Sequence, residues 1–249
     1  MNFRMESVKS LLIKMYYNES YLSSATAFIA TSPSGPVLLT NRHNVTGKNN
    51  ITGDCLSKRG AVPNKIKIYH NKVDELGSNI AKVENLYRDI DSLDEPLWIE
   101  HPEWNSSVDF VALKLTSLED VELYPYNLDE GNHMIIGVAE TVSVVGFPFG
   151  IEVGSNTAIW ATGFIASEPE LDYRNLPLFL IDCRSRQGQS GSAVVAYRPS
   201  GNFNMPGGYA ITGGPMTKFL GIYSGRINSE SDIGLVWKAS AIKELVNSI

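Results

Sequence analysis

Short apolar runs broken by turn residues recur along the chain: ATAFIAT, VLLTN, KIKIYH, DFVALKL, TVSVVGF, LFLIDC, SAVVAY, FLGIYSG and GLVWKAS. They have strand length, are rich in β-branched and aromatic residues, and either alternate with polar positions or are apolar throughout, as strands covered on one face or on both must be. The turn signals SPSG (32–35), GFPFG (146–150) and PSGNFNMPGG (199–208) separate them, because Gly and Pro supply backbone conformations that strands cannot. Helical spacing is confined to the two ends. MESVKSLLIKMYYN sets Val8, Leu11, Leu12 and Met15 three and four apart, which predicts an amphipathic helix docking its stripe on the sheets. SAIKELVNSI predicts a C-terminal helix with Ser240 as its N-cap. The pattern is that of an all-β protein with short N- and C-terminal helices.

Composition narrows the class. A chain of 249 residues can bury a sizeable core, and all-β units of this size are commonly single. The net charge of −6 argues against a nucleic-acid surface. No apolar run is long enough to span a bilayer, and Glu6, Lys9 and Lys14 interrupt the one N-terminal stretch that could imitate a secretion signal. Cys55 and Cys183 are the only cysteines, so two free thiols are expected, Cys183 as a small buried residue. With no CxxC or Cys/His spacing, neither metal nor cofactor is expected. A cytoplasmic protein is the expectation from these features.

The chemistry lies in three short motifs: TNRHN around His43, SVDFVALKL around Asp109, and GQSGSAV around Ser190. A serine hydroxyl is a weak nucleophile at neutral pH. It needs an imidazole to take its proton, and the imidazole needs a carboxylate to fix its tautomer and stabilise its charged form. The order matters. In α/β-hydrolases the histidine follows a serine in G-x-S-x-G, whereas here His43, His70, His101 and His133 all precede Ser190, and Ser192 stands where the second glycine would be. A subtilisin-like order could start from Asp54 and His101, but neither has a persuasive context. His70, His101 and His133 read as satisfied polar residues, and Asp89, Asp91 and Asp94 as a solvated acidic loop, whereas Asp109 directly precedes the apolar run FVALKL.

Read together, GPVLLTNRHNVTG, HPEWNSSVDFVALKL, RQGQSGSAV, VSVVGFPFG, FLGIYSGRI and DIGLVWKASAIKELV resemble, in the right order, the segments of trypsin-like (chymotrypsin-fold) serine proteases over residues 24–249. The style is closest to bacterial trypsin-like peptidases with a Gly-x-Ser-Gly nucleophile loop. The resemblance implies two six-stranded antiparallel β-barrels, at about 20–120 and 130–238, a crossover near 115–134, a C-terminal helix at 239–249, and a site in the cleft between the barrels. It implies a serine endopeptidase that works through His43, Asp109 and Ser190 and an acyl-enzyme, with the N–H groups of Gly188 and Ser190 as oxyanion hole. The partner implied is a protein or peptide substrate, with neither nucleic acid nor membrane, and with room for a regulatory partner. Animal relatives have an aspartate before the nucleophile that pairs with a freshly cut amino terminus; Gln189 cannot form that pair, so activation by trimming is not expected.

The same resemblance places the primary specificity pocket between CRSRQ (183–187) and YSGR (223–226), making Arg184, Ser224, Gly225 and Arg226 the candidate substrate-binding residues. No acidic residue lies in either stretch, which disfavours Lys or Arg beside the cut bond. Two alternatives stay open: Arg184, aided by Arg226, pairs with an acidic side chain, or both guanidiniums face solvent around a small or apolar pocket. Two other functions also stay open, a pseudo-protease or peptide-binding scaffold and an esterase using the same residues.

Overall fold

The computed structural model describes residues 4–129, 133–154 and 157–249. The N-terminal half is an eight-stranded antiparallel sheet made of β1 (Ser10–Tyr17), β2 (Ser20–Ser32), β3 (Gly35–Thr40), β4 (Lys65–Lys72), β5 (Glu75–Asn85), β8 (Trp98–Ile99), β9 (Val111–Lys114) and β10 (Val121–Glu122). Their order is β10-β4-β1-β2-β3-β9-β8, with β5 also on β4. β8 and β10 are two-residue stubs, so six strands carry the sheet. A small ribbon, β6 (Tyr87–Asp89) with β7 (Asp94–Pro96), lies between β5 and β8 in sequence.

The second half closes into a six-stranded antiparallel barrel, β11-β12-β13-β18-β17-β14. Its strands are β11 (Thr141–Gly146), β12 (Ile159–Ile165), β13 (Leu178–Asp182), β14 (Ala193–Arg198), β17 (Met216–Arg226) and β18 (Ile233–Lys238). β15 (Asn202–Met205) and β16 (Gly208–Ile211) form a hairpin outside it. Among the described residues there are three short α-helices, α1 (Glu6–Lys9), α2 (Arg42–Thr46) and α3 (Ala239–Asn247), and one 3-10 turn at Pro148–Gly150. Among the described residues, no helix is long and apolar enough to cross a membrane.

The predicted N-terminal helix is corrected by the structure: only Glu6–Lys9 is helical, and Leu11, Leu12 and Met15 lie on β1. The cause is burial on both faces. Leu11, Ile13 and Met15 point into the core of the first half, together with Ala27, Ile29 and Ile68. Leu12, on the opposite face, joins Phe28, Phe110, Val145, Phe147, Phe219 and Trp237 in the apolar layer between the halves. A strand covered on both faces loses its alternation, and adjacent leucines then imitate helical spacing.

The C-terminal helix forms, but Ser240 is not its N-cap. The helix starts at Ala239 after an extended Lys238, and no side chain caps it. What holds α3 is its apolar side: Ala241, Ile242, Leu245 and Val246 are buried in the inter-half layer. That layer bears directly on the site, because it fixes the two halves against each other with the ends of β3, β9 and β17 at one cleft.

Candidate active site

β3 and β9 pair antiparallel with Thr40 opposite Val111, so the residues just past the end of β3 lie beside those just before β9. This register brings His43, on α2, against Asp109. The His43 Nδ1–H donates to Asp109 Oδ2 at 2.6 Å, and the His43 backbone N–H donates to Asp109 Oδ1 at 2.9 Å. Asn41 Nδ2 holds the Asp109 carbonyl at 2.6 Å. From the other half, Ser224 Oγ donates to Asp109 Oδ2 at 2.5 Å. Asp109 is buried, and these three donors take the place of water around its carboxylate. Burial of the His43 ring opposes its protonation, but the Asp109 charge and hydrogen bond outweigh it and raise the imidazole pKa above its ordinary value.

Ser190 sits in the loop between β13 and β14. Gly188 and Gly191 have φ of +96° and +86°, and neither tolerates a side chain: a Cβ on Gly191 would stand 2.0 Å from the Thr26 carbonyl, one on Gly188 2.5 Å from that of Phe147. Ser190 Oγ donates to the Ser224 carbonyl at 3.2 Å rather than to His43. His43, Gln187, Gly188 and Ser190 nevertheless share the wall of one cleft of about 500 Å³. A second cleft of about 410 Å³, which also reaches His43, runs over Asp109, Ser224, Gly225 and Arg226 to Trp237.

The backbone around Ser190 is held in a definite orientation. The Gln187 carbonyl accepts from the Phe149 N–H at 2.6 Å, and since C=O and N–H point oppositely across a trans peptide, the Gly188 N–H is turned the other way. Among the described residues, neither the Gly188 nor the Ser190 N–H donates to a protein acceptor. Gln189, 1 % exposed, accepts the Arg186 N–H on its Oε1 at 2.7 Å, so it pins the loop from within.

Several residues here carried no sequence signal. Thr26 is fully buried and joins the halves: its N–H donates to the Ser190 carbonyl at 2.9 Å, its Oγ1 donates to the Gly188 carbonyl at 2.9 Å and accepts the Phe147 N–H at 3.0 Å, and its carbonyl accepts from Thr40 Oγ1 at 2.9 Å. Ser224 was expected only as a substrate contact, yet it holds both Asp109 and Ser190. Arg184 is exposed while its neighbour Ser185 is buried, and Arg226 lines the second cleft.

The remaining candidates lie elsewhere. Asp89, Asp91 and Asp94 are exposed, and Asp89 caps its own turn through the N–H groups of Asp91 and Ser92. His101 is buried and accepts the N–H groups of Glu103 and Trp104 on Nδ1, with Nε2 3.4 Å from Glu244 Oε2. His133 packs against the Phe203 ring. His70 is not the satisfied residue expected: it is 1 % exposed and, among the described residues, neither ring nitrogen has a hydrogen-bond partner. Burial, with the Lys82 charge adding to it, lowers its pKa to about 4. Both cysteines are free, Cys55 exposed and Cys183 buried.

With this geometry in hand, comparison with known proteins is informative. The profile of the trypsin-like peptidase domain matches residues 25–200, which is most of the chain, so the protein belongs to the trypsin-like peptidase family and is a hydrolase of the serine-protease class. The solved structures it resembles include the thermostable serine protease AL20 from an extremophilic microorganism (12% identity, TM-score 0.54, 98% of each chain). Also similar are the active form of the Rv3671c protease from M. tuberculosis (16% identity, TM-score 0.52, 96% of this chain and 79% of that one) and the serine endoprotease from Yersinia pestis (12% identity, TM-score 0.52, 98% of this chain and 65% of that one). At such identities these likenesses speak for the fold alone. No curated protein matches the chain.

Proposed function

We propose that the protein is a serine endopeptidase that uses His43, Asp109 and Ser190 as a catalytic triad and passes through an acyl-enzyme. The observation that carries this reading is the 2.6 Å hydrogen bond from His43 Nδ1 to Asp109, which leaves Nε2 as the basic nitrogen of a ring sharing a cleft wall with Ser190.

The substrate main chain pairs with the edge of residues 224–226, which β14 leaves open because its pairing with β17 stops at Ile222. The substrate N–H takes over the Ser224 carbonyl, and the Ser190 hydroxyl, released from it, turns about its Cα–Cβ bond toward His43 Nε2. His43 removes the hydroxyl proton as Oγ bonds to the substrate carbonyl carbon, and the carbonyl π electrons move onto oxygen. The Gly188 and Ser190 N–H groups receive that oxyanion, with one such donor worth about 3 kcal/mol of barrier. The intermediate collapses, the C–N bond breaks, and His43 returns the proton to the leaving amine. Water then repeats the sequence on the ester and frees Ser190.

The test is labelling of purified protein with a fluorophosphonate probe together with turnover of a mixed peptide library. Labelling and cleavage, both lost in Ser190→Ala protein that melts as the wild type does, are the expected results. Ser190→Ala protein that still labels and cleaves would refute the assignment.

A further inference from the structure

Once an acyl carbonyl sits before Ser190 Oγ with its oxygen on Gly188 and its chain along Ser224, its side chain must enter the gap between residues 185–187 and 224–226. That gap is not vacant. β17 and β18 pair with Arg226 opposite Gly234 and Tyr223 opposite Val236, and the Tyr223 ring belongs to the buried cluster of Ile181, Cys183, Val194 and Val236 and reaches Ser185 in the segment leading to Ser190. Its Cε2 is 2.6 Å from where a Cβ on Gly234 would stand, so the ring fills the room that Gly234 leaves. Tyr223 is 2 % exposed, and its Oη is hydrogen-bonded to Oγ of Ser185, itself wholly buried.

The backbone of Tyr223 is equally fixed: its N–H donates to the Ser192 carbonyl at 2.9 Å, and its carbonyl accepts the Gly191 N–H at 2.9 Å. Moving the ring out of the gap would sever a buried hydroxyl pair. Ionisation does not eject it either, because burial pushes the phenol up to about 12.

Resting on the function proposed above, we infer that Tyr223 plugs the primary pocket and that the residue supplying the attacked carbonyl must be Gly, Ala or Ser. Arg184 does not select charge there, since the inner wall presents the Ser185 hydroxyl while the guanidinium lies outside. Of the two pockets the sequence allows, one pairing an acid and one small, the packing of Tyr223 chooses the small one. Arg226, on the rim of the second cleft, acts on residues further from the cut bond.

The experiment uses the whole chain and fluorogenic peptides that differ only at this residue (Gly, Ala, Ser, Leu, Phe, Arg, Glu), with active sites counted by fluorophosphonate titration. The expected kcat/KM is highest for the small residues and at least about tenfold lower for Leu and Phe. Tyr223→Phe keeps the ring and leaves the ranking unchanged. Tyr223→Ala opens the gap and raises Leu and Phe relative to Ala by about tenfold or more. Labelled wild type that cleaves fastest after Leu, Phe, Arg or Glu overturns the plug while leaving the peptidase reading intact, as does folded, labelled Tyr223→Ala protein with an unchanged ranking. If Tyr223→Ala fails to fold, the wild-type and Tyr223→Phe rankings decide. Wild type that neither labels nor cleaves any peptide takes both readings down.

Discussion

The two halves contribute to the cleft in opposite ways. The N-terminal half presents side chains that are already engaged: His43 and Asp109 are joined by two hydrogen bonds and braced by Asn41. The C-terminal half presents backbone that is free to receive something, with the Gly188 and Ser190 N–H groups lacking protein acceptors among the described residues and a serine hydroxyl parked on the Ser224 carbonyl. The difference teaches where substrate binding is spent. On the proposed mechanism, His43 needs no rearrangement to act as base, whereas Ser190 is freed when a substrate N–H claims the Ser224 carbonyl. Neither half is self-sufficient, since Ser224 reaches across to Asp109 and Thr26 reaches across to the nucleophile loop.

The sharpest way to break this division is to remove one member from each side. Ser190→Ala and His43→Ala should each lower kcat by about a millionfold, and the double variant should be no worse, because residues that act as a unit are not additive. Active-site-corrected kinetics on protein with unchanged thermal melting checks this, and clearly additive losses would contradict it.

Asp109→Asn comes next, at about 10⁴-fold in kcat near neutral pH, since an amide favours the wrong His43 tautomer. A pH profile sharpens the point. His43 must be neutral to act as base and Asp109 raises its pKa, so the acid limb of wild-type kcat/KM should fall above the ordinary histidine value of 6.5. A wild-type limb below that value would argue that Asp109 does not govern the ring.

Thr26→Val tests the crossing contact. It keeps the shape of the side chain but strands the Gly188 carbonyl and the Phe147 N–H, so stability should drop by about 1–3 kcal/mol. Because Gly188 is also a proposed oxyanion donor, kcat should fall while KM changes little. A variant that loses stability but keeps full kcat per labelled site would show that the clamp serves folding alone.

The smallest effect on turnover is expected at His70, far in role from the cleft. Its folded pKa of about 4 lies below the unfolded value of 6.5, so the unfolded chain takes up the proton first. Stability should therefore be full above pH 6.5 and decline by about 3 kcal/mol as the pH falls to 4. His70→Leu should flatten this part of the denaturation profile while leaving neutral-pH kinetics unchanged. An equally steep acid decline in the variant would assign the loss to other groups.

The contrast between the halves also explains what could be read from the sequence. His43, Asp109 and Ser190 are polar residues at the ends of apolar strand runs; the structure pairs His43 with Asp109 and sets His43 and Ser190 on the wall of one cleft. β1 carries helical spacing because burial on both faces erases its alternation, and the start of α3 lacks the expected cap because packing anchors it. Thr26 and Tyr223 are ordinary strand residues in sequence. Their roles arise from the register of β17 on β18 and from the approach of one half to the other, which no local pattern encodes.

The short α1 segment carries a consequence for synthesis. Glu6 accepts a hydrogen bond from Thr217 Oγ1 at 2.5 Å, Ser7 receives Trp160 Nε1 at 2.8 Å and the Ala158 N–H at 2.9 Å, and Ser10 Oγ donates to the Val145 carbonyl at 2.8 Å. Residues 6–10 therefore meet these partners only after residues 145–217 have been made. The α1 segment cannot be seated until β12 and β17 have been made, and β17 also carries Ser224. Seating of α1 and completion of the hydrogen bonds around Asp109 therefore depend on the same strand, through Thr217 and Ser224.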